Sequence, residues 1–400
     1  MTSLAVDRDD YLSLVSRAAD QLAKLGFLWQ PTLGKSSAPT REAVVLAFTP
    51  VARRNGFQSL LYRAAWERGF APLPVLDLYA LPNIPWPGRM VCHFHWLGGI
   101  TRESSDEADA EARVSAFETL LRQLKGQGRQ IVWTVHNALP HDTRWPEQDL
   151  KVRQLISKEA DLIHVMTEGT DEVLEGHYTL PRNKVFYVPH PAYTGFYPDT
   201  VTRHEARAQL GVPHDCHVFL TFGAIQRYKG YERLIQAFEQ IALKRSERKP
   251  FLIIAGKSSD PQISREIRAW ALSRSDVLAV VKPIPNEDIQ LFYRAADVAV
   301  CPYNATLNSG AALLAITYGK AVIGPRIGGF VDNVGPTCAW LYDPDDCGHE
   351  SLLGSMEQSL TGSTLAAKSS AAAERARTLA PQSASSRFLG HLEATMREEQ

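Results

Sequence analysis

The chain has 400 residues, more than one ordinary hydrophobic core accommodates, so two lobes are expected. Its 43 Lys and Arg against 44 Asp and Glu leave a formal net charge of -1, with no broad positive field for a nucleic-acid backbone, which excludes that partner class. No apolar run reaches the ~18 residues that cross a bilayer. The cysteines (Cys92, Cys216, Cys301, Cys338 and Cys347) form no C-x-x-C pair, a usage suited to a reducing cytoplasm and offering no zinc site.

In the first forty residues Leu12, Val15, Ala18, Leu22 and Leu25 make a helical apolar stripe that runs into Phe27, Leu28 and Trp29. A helical extension over 1–40, packed on the body of the protein, is expected. Docking at the inner face of the plasma membrane is the alternative. Asp7, Asp9 and Asp10 stand where a signal peptide is basic, so a cytoplasmic protein is expected.

From residue 43 short β-rich apolar runs alternate with helical patterns: 43–48, 91–95, 131–135, 161–166 and 185–188. Such runs are too short for helices and too uniformly apolar for half-exposed strands, which predicts a parallel sheet covered on both faces. The rhythm breaks at PHPAYTGFYPD (189–199), where the prolines block helix and central strand alike. A linker is placed there, dividing a first domain over 41–196 from a second over 197–379. The alternation restarts at 217–222, 251–255, 277–281, 298–301 and 321–323, with an amphipathic helix over 232–243 among the connections. The basic run KRSERK (244–249) reads as a solvated end of that helix, and Phe388, Leu389 and Leu392 suggest a last helix over 380–400 that docks back onto the body.

In open α/β sheets ligands bind beyond the carboxyl ends of the strands, so the loops there are where chemistry is expected. The run 217–222 leads into GAIQRYKGYERL, in which Gly223 and Gly230 permit tight turns and Lys229 sits just ahead of a helix, a combination suited to a diphosphate. After 298–301 comes PYNATLNSG, whose Asn308, Ser309 and Gly310 are good cap residues for the following apolar helix. Plain capping is the alternative, and it is compatible with phosphate at the same N–H groups. Gly324, Gly328 and Gly329 form a further loop, GPRIGG.

On the first lobe TVHNALPHDTRWPEQ brings His136, Asn137, His141, Asp142 and Glu147 to one edge, and His141 or Asp142 is a candidate general base for a hydroxyl. The neighbouring run ends in HFHW. His93 and His95 share a strand face, yet with no third ligand in view a metal site is not expected. Trp96 is a candidate stacking wall for a sugar or lipid, or simply core. Arg53, Arg54 and Asn55 are candidates to grip an anionic acceptor, with solvated surface as the alternative.

HFHW (93–96), TVHNALPHD (134–142), FGAIQRYKG (222–230) and PYNATLNSG (302–310) together resemble GT-B glycosyltransferases of the large family 4 group. The similarity is greatest to the xanthan-type bacterial β-mannosyltransferases that extend lipid-linked exopolysaccharide units. The resemblance implies an α/β protein of two Rossmann-like α/β/α domains facing a central cleft. A metal-independent, inverting transfer of mannose from GDP-mannose is implied, with no further cofactor, to a carbohydrate or polyprenyl-diphosphate-linked acceptor. It implies donor-diphosphate contacts from Lys229, Asn308, Ser309 and Gly310 and places His136 near the transferred sugar; by our own reading of the loops Gly223 and Gly328 are further donor-site candidates and Asn55, His95, Trp96 and Asn137 acceptor-site candidates. The two glutamates typical of retaining family 4 enzymes are absent: aligned on Gly319-Lys320, those positions hold Thr306 and Leu314. The arginine that usually precedes the phosphate lysine is Ala224, with Arg227 expected to reach the diphosphate instead. The base, by our own inference, is Asp142 with His141 as rival. A retaining or UDP-sugar transferase, a nucleotide-sugar epimerase and a non-catalytic transferase partner remain as alternative functions.

Overall fold

The computed structural model describes residues 44–52, 55–140, 143–244, 248–344 and 350–398. The expected N-terminal helix, Arg53, Arg54, His141, Asp142 and Cys347 lie outside the described residues.

The chain divides into two compact units. The first ends at Pro191 and resumes at Pro381, so the last helix belongs to it; the second is Ala192–Ala380. The change of unit falls inside the Pro-rich stretch, ahead of the expected position after residue 196. That stretch is not an exposed tether: His190, Ala192 and Tyr193 are buried, and the Ala192 N–H bonds to the Leu379 carbonyl.

In the first unit the strands are β1 (Val44–Thr49), β2 (Phe70–Pro74), β3 (Met90–Phe94), β4 (Gln130–Thr134), β5 (Leu162–Val165) and β6 (Val185–Tyr187). They form one 6-stranded sheet in the order β2-β1-β3-β4-β5-β6 with every pairing parallel. Of these strands β2 has no counterpart among the apolar runs of the sequence. Its two prolines disqualify it as a central strand, and it survives because it is the edge strand beside β1. The order reverses between β1 and β3, so the loops after these strands flank the crevice where such sheets receive ligands. One face of the core is closed by the helix Pro381–Glu398, which inserts Phe388, Leu389 and Leu392 among Phe48, Phe57, Tyr62 and Val91. Arg68 holds the same helix through both oxygens of Glu393, at 2.8 Å each.

The second unit contains β7 (His217–Phe222), β8 (Pro250–Gly256), β9 (Val277–Val281), β10 (Val298–Val300), β11 (Ala321–Pro325) and β12 (Ala339–Tyr342). Again all pairings are parallel, in the order β12-β11-β10-β7-β8-β9, and the reversal falls between β7 and β10. The helix Tyr231–Leu243 packs Leu234, Phe238 and Ile241 into the core beneath β7, as its 3.6-residue periodicity requires. The basic run after it is not wholly solvated: Arg248 reaches Asp297 at 2.9 Å, joining Arg203 and the buried Arg207 on that carboxylate. Asp297 opens β10 and also accepts the Val218 N–H, so it clamps the base of the two strands that frame the crevice.

Candidate active site

The crevice of the second unit is bordered by the loops that follow β7 and β10. The β7 loop ends in the short turn Arg227–Lys229 and hands over to the helix Tyr231–Leu243 at Gly230. Gly230 has φ +68°, and a Cβ there would stand 1.9 Å from the Pro302 carbonyl oxygen of the β10 loop. No other residue lets the two loops touch this closely. Lys229 consequently projects over the β10 loop, with Nζ 5.2 Å from the centroid of the Tyr303 ring.

Lys229 is half-buried as a residue, but its ammonium end is enclosed. Burial pushes it down from the ordinary lysine value to about 8, against a weak upward pull from the Cys301 thiol. It pairs with no carboxylate among the described residues.

Ser309 reaches the same neighbourhood from the other side. Its side chain lies near enough to Cys301 and Tyr303, the two groups that face Lys229, to pull the ionisation of both down against burial, and its hydroxyl accepts the Ala312 N–H to cap the helix Gly310–Thr317. Lys229 and the Asn308–Gly310 turn thus converge through shared neighbours. Gly310 abuts Tyr193, whose hydroxyl would lie 2.9 Å from a Cβ at that position. The GPRIGG loop closes against this turn: the Gly329 N–H bonds to the Leu307 carbonyl at 2.8 Å, and a Cβ at Gly328 would fall 2.5 Å from that same oxygen. Both polar atoms of the Asn308 side chain are buried without a hydrogen-bond partner among the described residues. A buried, unanswered amide beside a helix N-terminus and an unpaired ammonium is a site shaped for an anionic, hydrogen-bonding ligand.

Arg227 does not join this group. It lies on the surface with its guanidinium engaged by Asp260, Glu232 and Glu266, and none of these pairs involves the Asn308–Gly310 turn. Arg227 and Lys229 stand two positions apart on the same three-residue 3-10 turn, so their side chains leave it in different directions.

In the first unit the candidates gather beyond β3 and β4. His95 follows β3 directly, with its N–H on the Thr49 carbonyl at the end of β1. His136 stands just past β4, stacked on the indole of Trp96 with centroids 4.0 Å apart and edge-on to Phe57 at 5.0 Å. His95 Nδ1 and His136 Nε2 are 3.0 Å apart. Trp96 is half-buried against the core and is the wall of His136. His93 and His95 share a face, as expected, with ring centroids 4.1 Å apart. Their nitrogens are occupied: Tyr62 Oη bonds His93 Nδ1 at 2.8 Å and His95 Nε2 at 2.6 Å, while His93 Nε2 bonds Thr134 Oγ1. Burial, reinforced by the neighbouring imidazoles, holds His93, His95 and His136 well below the ordinary histidine range.

Asn55 is exposed and its side chain accepts the Phe57 N–H at 3.0 Å, closing a local turn just ahead of the short helix Phe57–Leu61. Asn137 is half-buried beside His136. Tyr62, Thr134, His164, Cys301 and Tyr303 were not singled out from the sequence. For Thr134 and His164 the available signal was a polar residue inside each of two adjacent apolar strands, which pair with each other across β4 and β5, while His93 pairs with Val132, two positions before Thr134.

Two parallel sheets, each with its chemistry-bearing loops at the point of strand reversal, define together with the following likenesses a glycosyltransferase of the GT-B fold. Residues 202–376 match the family of glycosyl transferases group 1. The chain is 26% identical over 328 residues to the GDP-mannose:glycolipid 4-beta-D-mannosyltransferase of Xanthomonas campestris pv. campestris, covering 78% of this chain and 82% of that protein. It is 28% identical over 223 residues to the D-inositol 3-phosphate glycosyltransferase of Xylanimonas cellulosilytica, covering 54% of this chain and 48% of that one. Among solved structures, sucrose-phosphate synthase from Thermosynechococcus elongatus superposes with a TM-score of 0.68 at 19% identity, over 90% of this chain and 100% of that one. Anabaena Alr3699/HepE in complex with UDP and glucose gives 0.62 at 15% identity, over 88% and 100%.

Proposed function

We propose that the chain transfers mannose from GDP-mannose, with inversion, to a glycolipid-type acceptor such as a polyprenyl-diphosphate-linked oligosaccharide of exopolysaccharide synthesis. The observation that carries the donor half is the enclosed Lys229 ammonium, paired with no carboxylate among the described residues, beside the Ser309-capped helix and the Asn308 amide, which has no hydrogen-bond partner among them. The 26% identity to a glycolipid mannosyltransferase over most of both chains supports the choice of sugar and acceptor class. The absence of acids at Thr306 and Leu314 supports inversion.

In this reading the second unit holds the diphosphate through Lys229, the N–H groups of the helix Gly310–Thr317 and the loops at Gly223 and Gly328. The acceptor hydroxyl loses its proton to Asp142, or to its rival His141. Its oxygen bonds to the anomeric carbon as the bond from that carbon to the diphosphate breaks. Stabilising the charge that appears on the leaving diphosphate is the larger share of such catalysis, and Lys229 performs it. His136, Asn137 and Trp96 of the first unit contact the sugars, while His95, expected as an acceptor contact, is buried with both ring nitrogens engaged and acts through His136. A lipid-linked acceptor requires working at a membrane surface, and no described helix is long and apolar enough to cross one.

The test is a melting-temperature screen of GDP, UDP and their sugars on the wild type and Lys229→Ala, followed by product analysis with the donor that binds. GDP-mannose should raise the melting temperature of the wild type alone, and the new glycosidic bond should have the opposite anomeric configuration to the donor. A UDP-sugar preference, a retained configuration, epimerised donor without transfer, or binding without any turnover would each replace this reading by the corresponding alternative.

A further inference from the structure

A continuous chain of hydrogen bonds runs through the core of the first unit, and its direction is determined at one end. His164 Nε2 lies 2.8 Å from the Val188 carbonyl, His164 Nδ1 3.0 Å from Thr134 Oγ1, and Thr134 Oγ1 2.7 Å from His93 Nε2. His93 Nδ1 continues to Tyr62 Oη, Tyr62 Oη to His95 Nε2, and His95 Nδ1 to His136 Nε2 at 3.0 Å. Tyr62, His93, His95, Thr134 and His164 are at most 3% exposed. In so dry a setting the rings are neutral, and a neutral imidazole has one N–H and one acceptor nitrogen.

A carbonyl only accepts, so His164 carries its proton on Nε2 and presents Nδ1 as acceptor. The Thr134 hydroxyl must then donate to His164, and its oxygen accepts from His93 Nε2. That leaves His93 Nδ1 as acceptor for the single Tyr62 proton, and the Tyr62 oxygen accepts from His95 Nε2. His95 Nδ1 is then the acceptor, so His136 donates from Nε2. Reversing any member reverses all of them and leaves the His164 Nε2 lone pair facing the Val188 oxygen, two acceptors at hydrogen-bonding distance in the core.

We propose that this chain locks His136 with its proton on Nε2 and its Nδ1 lone pair committed to accept a hydrogen bond from a sugar hydroxyl of the substrate. Tyr62, His95, His93, Thr134 and His164 are its positioning residues. No described residue donates to His136 Nδ1, while Trp96 and Phe57 fix the plane of the ring. The strong downward pull on its basicity makes His136 a neutral acceptor and leaves the proton-abstracting role to another group. The assignment of the hydroxyl to a sugar rests on the function proposed above; the tautomer does not.

The experiment is long-range 1H–15N NMR of the imidazoles in protein labelled at histidine, with no ligand added. In the wild type His136 should show a protonated Nε2 and a bare Nδ1 from pH 6 to 8. Thr134→Val removes the link to Val188 and should let His136 populate the Nδ1–H form, whereas Thr134→Ser, which keeps the hydroxyl, should retain the wild-type pattern. With the donor identified by the ligand screen, Thr134→Val should lower kcat about tenfold, the scale of one lost hydrogen bond, with KM changed far less, and Thr134→Ser should recover it. Should Thr134→Val fail to fold, Tyr62→Phe interrupts the same chain. A wild-type His136 protonated on Nδ1, or an unchanged His136 tautomer in Thr134→Val, overturns the inference. A correct tautomer in a protein that transfers no sugar would overturn the functional reading and leave this one standing.

Discussion

The Lys229 ammonium sits over the face of Tyr303, 5.2 Å from the ring centroid, while Tyr303 neighbours Ser309 at the start of the next helix. One aromatic ring therefore links a cation from the loop after β7 to a helix N-terminus from the loop after β10. The ring offers the ammonium its negative face without neutralising it, which leaves the charge available to an anion.

A pH dependence follows from the depressed lysine. With burial holding Lys229 near 8, the free site loses its charge as pH rises through that value, while a bound diphosphate keeps the ammonium protonated. Affinity for a nucleoside diphosphate should be level just below pH 8 and then fall by up to about tenfold per unit toward pH 10. Calorimetric titration at several pH values measures it. In Lys229→Ala binding should be weaker throughout and should lack this decline; a wild-type affinity constant across the interval would show that Lys229 carries no part of it. The stability effect has the opposite sense: between about 8 and 10.5 the unfolded chain binds the proton that the native lysine has lost, so this residue's contribution to stability rises with pH.

The approach of the two loops can be tested at Gly230. An alanine there must hold φ near +68° and place its Cβ within 1.9 Å of the Pro302 oxygen, so the loops must part. Gly230→Ala should cost at least about 2 kcal/mol in urea denaturation, more than the left-handed backbone alone demands, and should weaken diphosphate binding as Lys229 withdraws from Tyr303. A variant with native stability and affinity would mean that the contact is incidental.

How far these features were legible in the sequence depended on how local their causes are. The strand β7 begins and ends where its apolar run does, and Lys229, Ser309 and Gly310 were visible because turn and cap chemistry is written within a few residues. The edge strand β2 was not, because its prolines argue against a strand until the sheet order shows one side unpaired. The surface partners of Arg227 were hidden for a related reason. Its sequence neighbours place it beside Lys229, whereas the choice of partner was settled by Asp260 and Glu266, supplied by a helix far along the chain. The histidine chain was the least legible: His93, Thr134 and His164 come from three strands brought together by register, and Tyr62 joins them from the end of the short helix Phe57–Leu61. The expected base, Asp142 or His141, lies outside the described residues, and its assignment remains a proposal.

Asp297 gives a prediction away from the site. Burial alone would raise its carboxyl, but the Val218 N–H and the guanidinium groups of Arg203, Arg207 and Arg248 outweigh that and hold it below the ordinary range. Its stabilising contribution is therefore complete above the ordinary carboxylate value and lost as pH falls through the lower native one. Asp297→Ala leaves the buried Arg207 without its counter-ion and should cost ~3–5 kcal/mol at neutral pH, with a smaller deficit in acid. Urea denaturation at pH 7 and pH 3 measures both. An equal deficit at the two pH values would assign the loss to packing and not to charge.

The last helix supplies the final test, because its Phe388 is fully buried against the hydrogen-bonded chain. The phenyl ring lies 5.1 Å from His93 in a stacked arrangement and 5.2 Å from His164, and it also meets Tyr62 and Phe186. Truncating it removes apolar contact and opens a cavity, a change that costs about 3–5 kcal/mol where the surroundings cannot collapse. Here the walls include imidazoles already tied into one hydrogen-bonded chain, so collapse would break hydrogen bonds, and water entering the cavity would have to compete for them. Phe388→Ala should therefore lose stability at the upper end of that range and raise the basicity of His93 and His164, which burial holds down at present. Phe388→Leu, which keeps the space filled, should recover most of the stability and keep both imidazoles neutral. Urea denaturation gives the first quantity and 15N NMR titration of the imidazoles the second. Native-like values of both in the alanine variant would show that the helix covers the chain without sealing it.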